Sequence, residues 1–348
     1  MEIDFYQNDP PHPTEARAQG AALEESGFAG LWSIEAGSDP LLPLILAADA
    51  TERIQLGTAI AVALARNPVV LAQAAHDLNV LAEGRFMLGL GSQVKGHIER
   101  RYGMPWSRPA ARMRDFIGAL QAVWSCWNDG TPLDYRGEFY QHTLMTPMFS
   151  AKPSPFGPPR VVLAGVGEIM TRLAGEVADG FAAHPLTVPG LLDEFTLPIL
   201  RRGMELSGRD RANFCVMAPV MVVTGADTAA MDAALAATRQ QIAFYASTPA
   251  YRSVLEFVGA ADIGPRLTEL SRRGEWAEMA GLVSDELVDA FAVVAPPEQL
   301  TTRLRARYEG RLDRAALYAP YHIDPGLWQT VIDADRDRPN QPQDARVG

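Results

Sequence analysis

Apolar residues along this chain fall in short runs that alternate with longer stretches of helical spacing. Glu2–Tyr6 alternates as a strand does, and Thr14–Ser26 reads as a helix stopped by Gly27. Ala29–Ile34, a helix over Pro40–Thr51, the run Ile54–Ala61, a helix over Pro68–Leu81 and the run Arg85–Leu90 follow with connections of a few residues. The runs are apolar on both faces, the pattern of parallel strands covered by helices. A helix over Pro109–Trp127 comes next, with Met113, Phe116, Ile117, Leu120, Val123 and Trp124 at helical spacing.

Residues 129–158 break the rhythm: 133–140 suits a hairpin turning at Arg136-Gly137, and a proline-rich tract leads back. Strand Val161–Ala164, helix Glu168–Ala178, strand Gly180–Ala183, helix Leu191–Leu206 and strand Cys215–Val223 then resume it. The stretch 226–310 is expected to be mainly helical, with its 245–310 portion a second insertion, before strand Ala315–Tyr318 and helix Pro325–Ala334. Eight strand-helix units predict an α/β fold, a single (β/α)₈ TIM barrel over 1–335 with loop insertions and a loose tail over 336–348. A dinucleotide fold would need a G-x-G-x-x-G turn after the first strand, where the chain has Gln7-Asn8-Asp9-Pro10-Pro11.

Composition narrows the function. A net charge of −11 argues against a nucleic-acid partner. No apolar stretch is long enough for a membrane span and the N-terminus lacks signal-peptide features, so a cytoplasmic protein with no membrane partner is expected. Cys126 and Cys215 have no metal-ligand spacing, and no metal site is proposed.

In a barrel of this kind the chemistry gathers where the strands end. Those ends offer Glu35 after the second strand, Gly91-Ser92-Gln93 with His97 after the fourth, His184 after the sixth and His322 after the eighth. The segment Ala164-Gly165-Val166-Gly167-Glu168-Ile169-Met170 joins a strand to a helix start, where unpaired amides and the helix dipole suit a phosphate; the same glycines would also serve a plain tight turn. Gly91 would let a flat ring approach the backbone while Ser92, Gln93 and His97 bond its polar edge, or the loop is simply polar.

Several pieces then occur together and in order: Ile54–Val62, Arg66-Asn67-Pro68, Leu81–Phe86, Leu88–Ser92 and Ala164–Gly180. Together they resemble the bacterial-luciferase-like superfamily. His97–Trp106 and Leu144-Met145-Thr146-Pro147 resemble its branch dependent on the deazaflavin coenzyme F420. The resemblance implies coenzyme F420, or alternatively FMN, and a small-molecule substrate. It sets Ala59, Ile60 and Val62, with a non-prolyl cis peptide at Ala59-Ile60, behind the ring. Ser92, Gln93 and His97 would border the ring or ribityl chain, and Gly165 to Met170 the phosphate. It also implies a homodimer, for which Leu41, Leu42, Leu44, Val69, Val70 and Leu71 supply apolar surface.

The chain departs from the superfamily at one point: where a catalytic histidine often follows strand two, it reads Glu35-Ala36-Gly37-Ser38-Asp39. Glu35, His184 and His322 are the candidates for proton transfer, with Glu35 equally suited to a structural pairing with arginine. Hydride transfer with a deazaflavin, a reduced-FMN monooxygenase, and a cofactor-binding homologue without turnover are the three functions in view.

Overall fold

The computed structural model describes residues 1–9 and 11–337; all but Arg336 and Asp337 of the expected tail lies outside them. Eight parallel strands close on themselves: β1 (Glu2–Gln7), β2 (Gly30–Ser33), β3 (Gln55–Thr58), β4 (Phe86–Gly91), β5 (Arg160–Ala164), β6 (Gly180–Ala182), β7 (Cys215–Val223) and β8 (Arg314–Tyr318). Each pairs with the next, and β8 returns to β1 with Phe5 beside Leu317. The chain is a (β/α)₈ barrel, with helices between the strands. Local chemistry marks the boundaries: Pro68 opens a helix whose first amides are capped by Asn67, at 2.9 Å to Val69 N, and Gly27 ends the first helix in the left-handed conformation.

Two cores result. Between barrel and helices lie residues such as Leu44, Leu71, Phe116 and Trp124. Inside the barrel, Trp32 packs with Tyr6, Met87, Met217 and Tyr318. The indole fits because β3 carries Gly57 beside it; a Cβ there would lie 2.3 Å from the ring. Below it Asp4, fully buried, accepts from Trp32 Nε1 at 2.7 Å and from the Arg314 guanidinium through two contacts of 2.7 Å. Burial disfavours the Arg314 charge, but Asp4 more than restores it and raises its pKa.

The structure corrects several expectations. The Ile54–Ala61 run is two strands: β3 ends at Thr58, and Ala61–Val62 pairs separately with Leu90 and Gly91 of β4. The hairpin pairs Tyr135–Arg136 with Gln141–His142, so its turn spans 137–140 instead of turning at Arg136-Gly137. The reason is Asp115, whose carboxylate accepts the amides of Phe139 and, at 3.1 Å, Tyr140, and the Tyr135 hydroxyl at 2.6 Å. The stretch expected as helix contains a strand, Ala292–Val294, alongside Met221–Val223. Short β6 covers only 215–217 of β7, and the upper backbone of β7 needs another partner.

Of the residues expected at a subunit interface, Leu41, Leu44 and Leu71 face the core and Val69 packs against it; Leu42 and Val70 are exposed, at 55% and 64%. Among the described residues no helix is long and apolar enough to cross a membrane.

Candidate functional site

The ends of β2, β3 and β4 form one rigid ledge. Beyond β3 the Ala59–Ile60 peptide is cis. Its carbonyls and amides are held on all sides: Ala59 O accepts from Tyr6 OH at 3.1 Å, Ala59 N donates to Ser33 O at 2.8 Å, and Ile60 O accepts from Glu35 N at 3.3 Å. The neighbouring strand must come very close. A Cβ on Gly89 would sit 1.7 Å from Thr58 O, and one on Gly91 would sit 2.9 Å from the Ile60 side chain. Glycine at these two positions is therefore what lets β4 lie under the ledge.

Glu35 is the ledge's anchor. Its Oε2 accepts from Val62 N at 2.7 Å and from Arg66 Nη1, while Oε1 accepts from Tyr102 OH at 2.8 Å. Arg66 also donates to Asp39 Oδ2 at 2.8 Å, and Asp39 Oδ1 accepts from Leu41 N at the start of the next helix. The side chain of Glu35 is only 7% exposed, so both oxygens are committed to protein donors. Burial and the bond to Glu35 raise the Tyr102 pKa. The arrangement is the arginine pairing that was one of the two readings of Glu35.

At the end of β5, Gly167 caps the Glu168–Val177 helix without any side-chain cap, so the amides of Glu168, Ile169 and Met170 find no acceptor among the described residues. Gly167 has φ of −91°, and nothing lies within 4 Å of a Cβ built on it. That φ is one any residue adopts, and the space beside the amides is open. Gly165 is confined, its Cβ position 2.8 Å from Met170 Cγ. Ala164 and Val166 are half-buried and Glu168 is exposed. These features fit an anion such as a cofactor phosphate, which would complete the bare amides.

Ser92 and Gln93 follow β4, half-buried, with Gln93 at φ +59° and its Oε1 accepting from Val94 N at 2.9 Å. His97 is exposed on the short Lys95–Arg100 helix, and His322 is exposed in the loop after β8. Neither joins a cluster of side chains among the described residues.

His184 does. Its ring stacks on Tyr251 at 4.1 Å between centroids and meets Tyr245 edge-on at 4.7 Å. Leu186 N donates to Nδ1 at 3.0 Å, which leaves the proton of the neutral ring on Nε2. Burial lowers its pKa to about 3. At neutral pH His184 is a hydrogen-bond donor, not an imidazolium. Beside it the Tyr245 and Tyr318 hydroxyls are 3.2 Å apart, and the Tyr6 ring lies 5.0 Å from that of Tyr318. Burial raises the pKa of all four phenols, that of Tyr251 to about 12. Tyr245 and Tyr251 come from the region after β7, whose sequence carries no motif; helical spacing alone would have assigned both to packing.

A family profile described as luciferase-like monooxygenase matches residues 2–314. The chain belongs to that family. An uncharacterised protein of Mycobacterium tuberculosis is 54% identical over 301 residues, 86% of this chain and 88% of its own. A putative coenzyme F420-dependent oxidoreductase of the same organism is 30% identical, covering 79% of this chain and 82% of that one. Among solved structures, the coenzyme F420-dependent tetrahydromethanopterin reductase of Methanopyrus kandleri superposes with a TM-score of 0.79 at 20% identity, over 96% of this chain and 97% of that one. An FMN complex of a type II Baeyer-Villiger monooxygenase from Pseudomonas putida gives 0.67 at 17% identity, over 97% of each chain. The luciferase-like barrel thus accommodates both deazaflavin and flavin chemistry.

Proposed function

We propose that the chain is a deazaflavin-dependent oxidoreductase that exchanges a hydride between coenzyme F420 and a small organic substrate. The observation that carries this reading is the uncapped helix start at Gly167–Met170, an open row of backbone donors at the active end of the barrel. The 30% identical relative named as F420-dependent supports the deazaflavin over FMN.

In this reading Gly165, Val166, Gly167 and the first turn through Met170 hold the phosphate. Ala59, Ile60 and Val62 form the shelf behind the ring, with Gly91, Ser92 and Gln93 along its edge. The coenzyme, when bound, supplies a hydride acceptor or donor at one ring carbon. Glu35 fixes the shelf through Val62 N and Arg66. His184 Nε2–H and the Tyr251 hydroxyl offer the substrate neutral donors, able to polarise an oxygen without placing a charge near it.

Titration of the purified protein with coenzyme F420 and with FMN tests the reading, with tighter binding of F420 expected. FMN affinity equal to or better than that of F420 would replace it with the reduced-FMN monooxygenase.

A further inference from the structure

Tyr102 is a half-buried phenol at the barrel mouth to which the proposed reaction gives no part. Its hydroxyl donates to Glu35 Oε1 at 2.8 Å, while the other oxygen of that carboxylate accepts from Val62 N at 2.7 Å. One sheltered carboxylate therefore joins the shelf beyond β3 to the segment beyond β4.

That segment has few other directional ties. Within residues 93–104 only Ile98 is fully buried, and Tyr102 packs against the same outer core. Among the described residues two hydrogen bonds leave the segment, and both go to residues just after β2: Tyr102 to Glu35, and the Arg101 guanidinium to Ala36 O. Apolar packing holds Ile98 without fixing the orientation of its helix, so direction comes from the hydrogen bonds. Arg101 is exposed, where water competes for its bond, whereas the Glu35 side chain is only 7% exposed. The seat of Tyr102 also carries back along the segment, because Arg101 N and Tyr102 N both donate to His97 O at 3.0 Å.

We propose that Tyr102 is a positioning residue of the coenzyme site: through Glu35 it seats residues 93–104 beside the shelf of Ala59, Ile60 and Val62, so that a flat ring on the shelf meets a fixed second wall. The identity of that ring rests on the oxidoreductase reading; the seating of the segment does not. Tyr102→Phe isolates the role, since it keeps the ring, its packing and the Arg101 guanidinium 4.9 Å above it, and leaves Glu35 paired with Arg66 and Val62 N.

Hydrogen exchange of the backbone amides, read by mass spectrometry on the whole chain, tests the seating. In Tyr102→Phe the amides of residues 93–104 should exchange about tenfold faster, while those of β3 and β4 and the urea midpoint stay as in the unchanged protein. Titration with coenzyme F420, followed by the fluorescence anisotropy of the coenzyme, tests the positioning: the variant should bind about fivefold more weakly, and the anisotropy at saturation should be lower because the ring has lost one wall. Unchanged exchange in 93–104 would overturn the proposal, as would faster exchange with coenzyme affinity and anisotropy unaltered, which is the result of a merely structural bond. A fall in the urea midpoint with faster exchange throughout the barrel would overturn it as well. These outcomes leave the oxidoreductase reading in place. Failure of the unchanged protein to bind coenzyme F420 removes that reading and the positioning role with it, whatever the exchange shows.

Discussion

His184 offers a way to read the barrel mouth by acid alone. Burial among Tyr245 and Tyr251 lowers its pKa from 6.5 to about 3, so the unfolded chain binds a proton that the folded one refuses between those values. The stabilising contribution is fully present above pH 6.5 and is lost as pH falls from there toward 3. Between pH 7.5 and 5.0 the linkage integral is about 2 kcal/mol, since each pH unit inside the window is worth about 1.4 kcal/mol. The comparison that isolates the imidazole is with His184→Gln, which stays neutral throughout and keeps every other titrating group. Urea unfolding of both proteins at the two pH values should show the unchanged chain losing about 2 kcal/mol more than the variant. Equal losses would mean that the ring is protonated in place and that its aromatic surroundings do not exclude water.

Three other outcomes follow from the geometry. Asp4→Ala leaves Arg314 and Trp32 Nε1 without their buried acceptor and should lower stability by about 3–5 kcal/mol in thermal or denaturant unfolding, whereas unchanged stability would mean that water reaches the barrel floor. Gly167→Val should fold normally, because its φ of −91° and the open space suit a side chain, yet weaken coenzyme binding about tenfold or more by covering the amides, with Glu168→Gln as the control that binds normally. Light scattering at micromolar concentration should report a homodimer, with exposed Leu42 and Val70 covered in it; a monomer would refute the dimer.

The barrel was legible because its strands are buried on both faces and its connections are short, and each unit therefore declared itself locally. What was not legible depended on distant partners. Asp115 moves a hairpin turn by accepting amides more than twenty residues away, and the Ala292–Val294 strand exists because β6 is too short to cover β7. The strand-to-helix turn with its bare amides was readable from Ala164–Met170 because glycine spacing is local chemistry. The aromatic mouth was not, since Tyr245 and Tyr251 have ordinary positions in a helical stretch and acquire meaning only when the chain folds them onto His184 and Tyr318.

The same distinction bears on the missing histidine after strand two. Glu35 stands near that place in the sequence, but its carboxylate is engaged by Val62 N, Arg66 and Tyr102 and holds the ledge together. In the proposed reading a neutral imidazole and the Tyr251 phenol beside it, on the wall formed by β6 and the region after β7, take the place of a charged acid/base at the ledge. Neutral donors stabilise developing negative charge on a substrate oxygen without demanding a charged substrate to pair with them. The Glu35–Arg66 pair keeps the ionic contact of the ledge for holding Val62 in place, and the donors offered to a substrate oxygen in this reading are the neutral groups around His184.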